Sequence, residues 1–158
     1  MTSKLKSQAQ IIEIAKKLKS QEKIIVTTNG SFDILHPAHI RLLEKAKKQG
    51  DILIVLLNSD ASIKRFKGSS RPIQNETDRT EILSALACVD YIVIFDEDNP
   101  LKLLEKIKPH IHVKGGSFIP ERIKAEQKLL ESWGGKFKNF ELEEGFSTTS
   151  IIEKILEI

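Results

Sequence analysis

The stretch Lys23-Ile24-Ile25-Val26-Thr27-Thr28-Asn29-Gly30-Ser31-Phe32-Asp33-Ile34-Leu35-His36-Pro37-Ala38-His39 holds the reading that decides the fold. Lys23–Thr28 is rich in apolar and β-branched residues and reads as a short buried strand. Asn29-Gly30-Ser31 reads as a loop, in which Gly30 lets the backbone turn sharply or approach a ligand closely. From Pro37 onward Ile40, Leu43 and Ala46 or Lys47 recur at helical spacing, and Gly50 closes the helix. Pro37 suits the first turn, where a missing N–H costs little.

Downstream the same alternation continues. Asp51–Leu57 reads as a second strand, apolar on both faces as a central parallel strand should be. Asp60–Arg65 reads as a helical turn, Lys67–Gln74 as a loop and Glu76–Ala87 as a helix. Tyr91–Phe95 is a third strand and Pro100–Ile107 a helix. Ile111–Val113 is a fourth strand, followed by Lys114-Gly115-Gly116. Glu121–Trp133 is a helix that ends at Gly134-Gly135, Phe137–Phe140 a fifth strand, and Thr148–Leu156 a last helix capped by Ser147 or Thr148. Upstream, Ile11, Ile14, Ala15 and Leu18 share one helical face, with Lys16, Lys17 and Lys19 on a solvated one. Strands alternating with helices imply βαβ units with right-handed crossovers. The expected class is α/β: a Rossmann-like, doubly wound, mostly parallel five-stranded sheet with helices on both faces. Such a sheet binds ligands beyond the carboxyl ends of its strands.

Composition narrows the function. The 158 residues, 40% hydrophobic and 30% charged, suit one globular domain with its own core. A net charge of +3, without an aromatic-basic stripe, speaks against a nucleic-acid partner. A few basic residues around one polyphosphate account for it. Cys88 is the single cysteine, so no intramolecular disulfide is expected; set among Ala85, Leu86, Ala87 and Val89, it reads as a small buried hydrophobe. The longest apolar run, Ile52–Leu57, falls far short of the roughly 20 residues of a membrane span. No apolar signal core follows Lys4 and Lys6. A cytoplasmic protein with no membrane partner is expected.

His36 and His39 stand three residues apart at a helix start and so share a face. That helix start offers free N–H groups and partial positive charge to a phosphate. Two imidazoles beside it could donate hydrogen bonds to phosphoryl oxygens and stabilise a departing pyrophosphate. The plainer reading makes them surface or capping residues. Zinc lacks a third ligand nearby, since Asp33 is the only close carboxylate and Cys88 the only thiol, so no protein-held metal is expected.

Gly30-Ser31-Phe32-Asp33-Ile34-Leu35-His36-Pro37-Ala38-His39 resembles the Gly-x-Phe-Asp-x-x-His-x-Gly-His signature of the cytidylyltransferase-like nucleotidyltransferases. Gly145-Phe146-Ser147-Thr148-Thr149-Ser150-Ile151 is similar to their Ile-Ser-Thr-Thr-x-Ile segment. Within that superfamily, four segments look like the D-glycero-β-D-manno-heptose 1-phosphate adenylyltransferases: Asn58–Ser62, Lys64–Gly68, Ser70–Pro72 and Val113–Gly116. Those enzymes make ADP-heptose for lipopolysaccharide and are often fused behind a sugar kinase domain. The resemblance runs from about Lys23 to the end. A stand-alone form is expected, with the amphipathic helix over residues 1–22 outside the resemblance and a nucleotidyltransferase domain over 23–158.

The resemblance also implies the partners: ATP with Mg²⁺, a sugar 1-phosphate, and a second copy of the chain in a homodimer. The sugar phosphate would attack the α-phosphorus of ATP in line, with no covalent enzyme intermediate. By position in the motifs, His36, His39, Lys64 and Lys67 would be catalytic. Gly30, Ser31, Phe32, Asp33, Arg79, Lys114, Gly115, Gly116, Ser147, Thr148 and Thr149 would meet the nucleotide. Asn58, Asp60 and Arg71 would meet the sugar phosphate. Plainer roles stand beside these: solvent-exposed lysines for Lys64 and Lys67, an ion pair with Glu76 or Glu81 for Arg79, and helix capping for Ser147 and Thr148. Asp33 would orient its loop or approach the metal. Two departures matter. Ala38 replaces the signature glycine, which is harmless if its backbone is helical and strained by roughly 1 kcal/mol or more if φ is positive. Leu142 stands where glycerol-phosphate cytidylyltransferases carry an arginine, and Gly116-Ser117 where they carry an acidic pair; both absences favour adenine by analogy, although the heptose enzymes often have aspartate where Ser117 stands. The rival readings are a cytidylyltransferase acting on glycerol 3-phosphate or a similar polyol phosphate, and a nucleotide-binding module without turnover.

Overall fold

β-Branched and leucine-rich runs make four of the strands, the alternating Lys136-Phe137-Lys138-Asn139-Phe140 makes the fifth, and helices lie between them. In the computed structural model, residues 2–116, 120–141 and 145–158 are described. The elements are α1 (Gln8–Ser20), β1 (Ile25–Gly30), α2 (Pro37–Lys47), β2 (Ile52–Asn58), α3 (Asp60–Lys67), α4 (Glu76–Ala85), β3 (Tyr91–Phe95), α5 (Leu101–Ile107), β4 (Ile111–Gly115), α6 (Pro120–Glu131), β5 (Lys136–Phe140) and α7 (Thr148–Leu156). All four strand pairings are parallel, in the order β3-β2-β1-β4-β5. The chain moves outward from β1 to β3, then crosses back to β4 on the other side of β1. The β1–β4 seam is therefore the topological switch point, where a crevice opens at the strands' carboxyl ends.

β2 shows why two layers of helices are needed. Ile54 and Leu56 face one core cluster, with Ile11 and Ala15 of α1, Leu103, Leu104 and Ile107 of α5, and Leu130 of α6. Leu53, Val55 and Leu57 face the other, with Leu43 and Ala46 of α2 and Leu83 of α4. A period of two on a strand that is apolar throughout buries both faces at once. α1 begins with a capping box between Ser7 and Gln10, and Ile11 is wholly buried. Lys16 and Lys17 are exposed, whereas Lys19 donates to the Ile107 carbonyl at 2.6 Å. Cys88 is half-buried at the edge of the second cluster, and desolvation pushes its thiol pKa up.

Element ends differ from the sequence reading in a consistent way. β1 continues through Asn29 and Gly30, which were expected in a loop, and β4 continues through Lys114 and Gly115. Parallel neighbours keep these backbones paired: Asn29 with Leu56, Gly30 with Leu57, and Gly115 with Phe140. α3 is longer than the expected turn, running to Lys67 from a Ser59 cap, and α4 stops at Ala85. Among the described residues, no helix is long and apolar enough to cross a membrane.

Candidate active site

The loop from Gly30 to α2 carries backbone strain, and its surroundings hold it. Phe32 (φ 46°) and Ile34 (φ 54°) both lie in the left-handed region, which non-glycine residues avoid. Between them Asp33 is buried. Its carboxylate accepts from the Ile73 amide at 3.1 and 3.0 Å, from the Gln74 amide at 2.9 Å and from Arg71 Nε at 2.9 Å. Burial acts to raise the Asp33 pKa, but these backbone hydrogen bonds and Arg71 outweigh it and hold the carboxyl below its ordinary value. The Ile34 amide donates to Gln74 Oε1 at 3.1 Å, and Thr148 Oγ1 donates to the Asp33 carbonyl at 3.0 Å. Asp33 is thus the post to which the Arg71–Gln74 loop is tied. Space at Gly30 is tight: a Cβ there would stand 3.0 Å from the Phe32 ring, which would have to shift by a few tenths of an ångström.

His36 is the N-cap of α2, and Pro37 occupies its first turn. The His36 and His39 rings stack with centroids 3.7 Å apart at 21°. Phe32 tilts against His39 at 5.4 Å, and Phe146 stacks towards His36 at 6.2 Å. Both Nδ1 atoms are buried without a hydrogen-bond partner among the described residues. Desolvation first, then the charges of His36 and Lys67, push the His39 pKa down to about 4. Burial lowers that of His36 as well. At neutral pH the pair is therefore uncharged, and each ring offers one N–H donor. Ala38 lies within α2, which is the harmless case for a methyl group at that position.

These histidines line a cavity of about 600 Å³, large enough for a nucleotide. α2 contributes His36, Ala38, His39, Leu42 and Lys45, and the next segments contribute Lys67 and Arg71. The ends of β4 and β5 contribute Gly115, Gly116, Phe140 and Glu141, and the start of α7 contributes Phe146, Ser147, Thr148 and Thr149. Ser147 caps α7 by accepting from the Ser150 amide at 2.9 Å. Two helix N-termini therefore open onto one space, each favouring an anion. Lys67 borders it with its ammonium pKa lowered, by desolvation first and then by the Arg71 charge.

The cavity gathers His36, His39, Lys67, Arg71, Gly115, Gly116, Ser147, Thr148 and Thr149 from the sequence-based set. The others sit around it. Gly30, Ser31, Phe32 and Asp33 form the loop behind the histidines. Lys64 is exposed on α3. Arg79 is fully buried and works as a tie: it donates to the carbonyls of Ser31 (2.6 Å), Asn58 (2.9 Å) and Gln74 (3.0 Å), and to Asp60 Oδ1 (2.7 Å). Its ion-pair partner is Asp60 rather than Glu76 or Glu81. Asn58 donates to Ser62 Oγ at 3.0 Å, and Asp60 is engaged by Arg79. Lys114 turns to Glu126 at 2.6 Å. Ser117 and Leu142 lie outside the described residues. Sequence reading missed Leu42, Lys45, Phe140, Glu141 and Phe146. Leu42 was within reach, since it stands three residues after His39 on the same helical face.

Residues 27–154 match the family model described as cytidylyltransferase-like. The chain is 46% identical over 155 residues to the bifunctional protein HldE of Syntrophotalea carbinolica, covering 98% of this chain and 31% of that protein. It is 48% identical over 153 residues to the protein of the same name from Geotalea uraniireducens, covering 97% of this chain and 31% of the relative. The chain thus spans about a third of the length of these curated relatives (31%). Among solved structures it is similar to the lipopolysaccharide core biosynthesis protein of Thermoplasma volcanium, with a TM-score of 0.62 and 32% identity over 77% of this chain and 97% of that one. A TM-score of 0.66 to the pantoate-beta-alanine ligase of Francisella tularensis, at 18% identity over 98% of this chain and 78% of the other, shows likeness of fold alone.

Proposed function

The chain belongs to the cytidylyltransferase-like family, and on that premise we propose that it transfers AMP from ATP to D-glycero-β-D-manno-heptose 1-phosphate, releasing pyrophosphate and giving ADP-heptose. The observation that carries this reading is the stacked, uncharged pair His36 and His39 at the N-terminus of α2, sharing one cavity with the N-terminus of α7. The motif likeness to heptose 1-phosphate adenylyltransferases supports the acceptor.

A sugar phosphate is already anionic near neutral pH, so attack on the α-phosphorus needs no general base. An oxygen of the sugar phosphate forms the new P–O bond, and the bond from the α-phosphorus to the α–β bridging oxygen breaks. The electron pair leaves with pyrophosphate. The protein's work is positioning and charge stabilisation. His36 and His39 present N–H donors to the phosphoryl oxygens. Lys67 and Arg71 supply positive charge, and the hydroxyl and amide groups of Ser147–Thr149 hold a second phosphate. Among the described residues, no three His, Cys, Asp or Glu side chains group to hold a metal, and the Asp33 carboxylate is engaged by Arg71 and two amides. This reading takes Mg²⁺ as an ion carried by ATP, and no step is assigned to it. The reading includes a homodimer, which analytical ultracentrifugation checks.

The test is pyrophosphate release from ATP, CTP and GTP against a panel of sugar and polyol phosphates. ATP with heptose 1-phosphate is expected to give the highest kcat/KM. Preference for CTP with glycerol 3-phosphate would replace the reading with a cytidylyltransferase. No release with any pair would leave a nucleotide-binding module.

A further inference from the structure

Beneath the cavity lies a polar cluster to which the reaction assigns no chemistry. Glu126 of α6 is 1% exposed, and its Oε1 accepts from Lys114 Nζ at 2.6 Å. Its Oε2 has no hydrogen-bond partner among the described residues, and His112 Nε2 stands 3.9 Å from it. His112 is wholly buried. Its Nδ1 lies 2.8 Å from Thr27 Oγ1, and its Nε2 lies 3.2 Å from Asn29 Oδ1. An amide oxygen only accepts, so Nε2 carries the proton and Nδ1 accepts from the threonine hydroxyl. Burial, and then the Lys114 charge, push the His112 pKa down to about 3, which agrees with this neutral form.

Such a cluster is a poor source of stability, because apolar residues of similar volume often do as well or better in its place. Its location suggests a different purpose. Asn29 immediately precedes Gly30, and Lys114 immediately precedes the Gly115–Gly116 turn in the cavity wall. The cluster spans the β1–β4 seam from below. On the cavity side the turn is held as closely, since a Cβ on Gly115 would come within 2.7 Å of the Leu42 side chain. The wall is clamped between Leu42 in front and Lys114 behind.

We propose that Glu126 is a positioning residue for the nucleotide cavity: through Lys114 it fixes the Gly115–Gly116 turn, while the neighbouring His112, bonded to Thr27 and Asn29, ties β4 to the strand that leads into the loop at Gly30. The inference rests on the proposed function only for what the cavity holds.

The test compares the parent with Glu126→Gln and with the paired change Lys114→Met, Glu126→Leu. It reads the thermal midpoint, the ATP dissociation constant by calorimetry without acceptor, and KM and kcat. The paired variant is expected to melt at or above the parent, while its ATP Kd and KM rise about tenfold, as misplacement of a site wall implies. Glu126→Gln keeps the Lys114 charge and is expected to weaken ATP in the same direction, which separates positioning from direct lysine contact. Kd and KM within about twofold of the parent in both variants would overturn the proposal. A paired variant melting well below the parent would also overturn it, by making the cluster a stabilising element. A parent that binds ATP but releases no pyrophosphate with any sugar phosphate fails the proposed function and leaves the binding comparison intact.

Discussion

His39 is a neutral ring within a short, crowded series, Phe32, His39, His36 and Phe146, and on the proposed reading it donates to the phosphates. Removing a donor aimed at developing charge commonly costs about 10²–10³ in turnover. His39→Asn is expected to lower kcat by that order with a smaller change in the KM for ATP, read as pyrophosphate release; an unchanged kcat would take His39 out of the chemistry. Ala38→Gly tests the departure from the family signature. Ala38 is helical, so glycine there is expected to lower stability by up to about 1 kcal/mol and to leave turnover within a few-fold. A large gain in turnover would show that the methyl group obstructs the cavity. Arg79→Lys replaces a planar fork serving three carbonyls and Asp60 with a single ammonium. A loss of about 3 kcal/mol is expected in urea unfolding. The spacing of His36 and His39 revealed their shared face because helix geometry is local. Arg79's role was hidden, because a position on a helix says nothing about which distant carbonyls a buried guanidinium will reach.

The loop between β1 and α2 is set by an element far from it in sequence. Asp33 receives two amides and an arginine from residues 71–74. Asp33→Asn removes the charge that Arg71 pairs with and is expected to loosen this tie. Amide exchange at Ile73 and Gln74 should quicken, and the KM for ATP should rise; unchanged exchange would show that the tie does not depend on charge. Elements were legible where the signal was periodic. β3 over Tyr91–Phe95 and α7 over Thr148–Leu156 have the bounds that the apolar pattern gave. Strand ends were not, because Asn29, Gly30, Lys114 and Gly115 stay extended through pairing with neighbouring strands, which outweighs their own turn preference. The Asp33 tie was out of reach for a related reason: nothing local to the Gly30–His39 motif reveals a partner about 40 positions away.

Across the whole molecule, all four histidines have pKa values below the ordinary 6.5, with burial the first cause in each. In the unfolded chain they take protons as pH falls through about 6.5. In the folded chain His39 resists protonation to about pH 4 and His112 to about pH 3. Between those limits the unfolded state binds more protons, so stability falls as the solution is acidified. Asp33 acts the same way at lower pH: its depressed carboxyl pKa gives stability that is present above about 3.8 and lost below it. The thermal midpoint is expected to be nearly level from pH 8 to 7 and to drop from about pH 6.5 downward. A midpoint that rises between pH 6.5 and 4 would contradict the buried, neutral state of these rings.

The hydrogen bond from Thr148 to the Asp33 carbonyl joins positions 115 apart. On the ribosome, the five strands, His36 and His39 emerge before α7 does. A stalled nascent chain that ends before Thr148 is expected to fold its sheet yet fail to retain ATP, as a filter-binding measurement would read. Synthesis itself then orders the cavity: its α7 wall follows the sheet, and a chain stalled before Thr148 is expected to lack that wall.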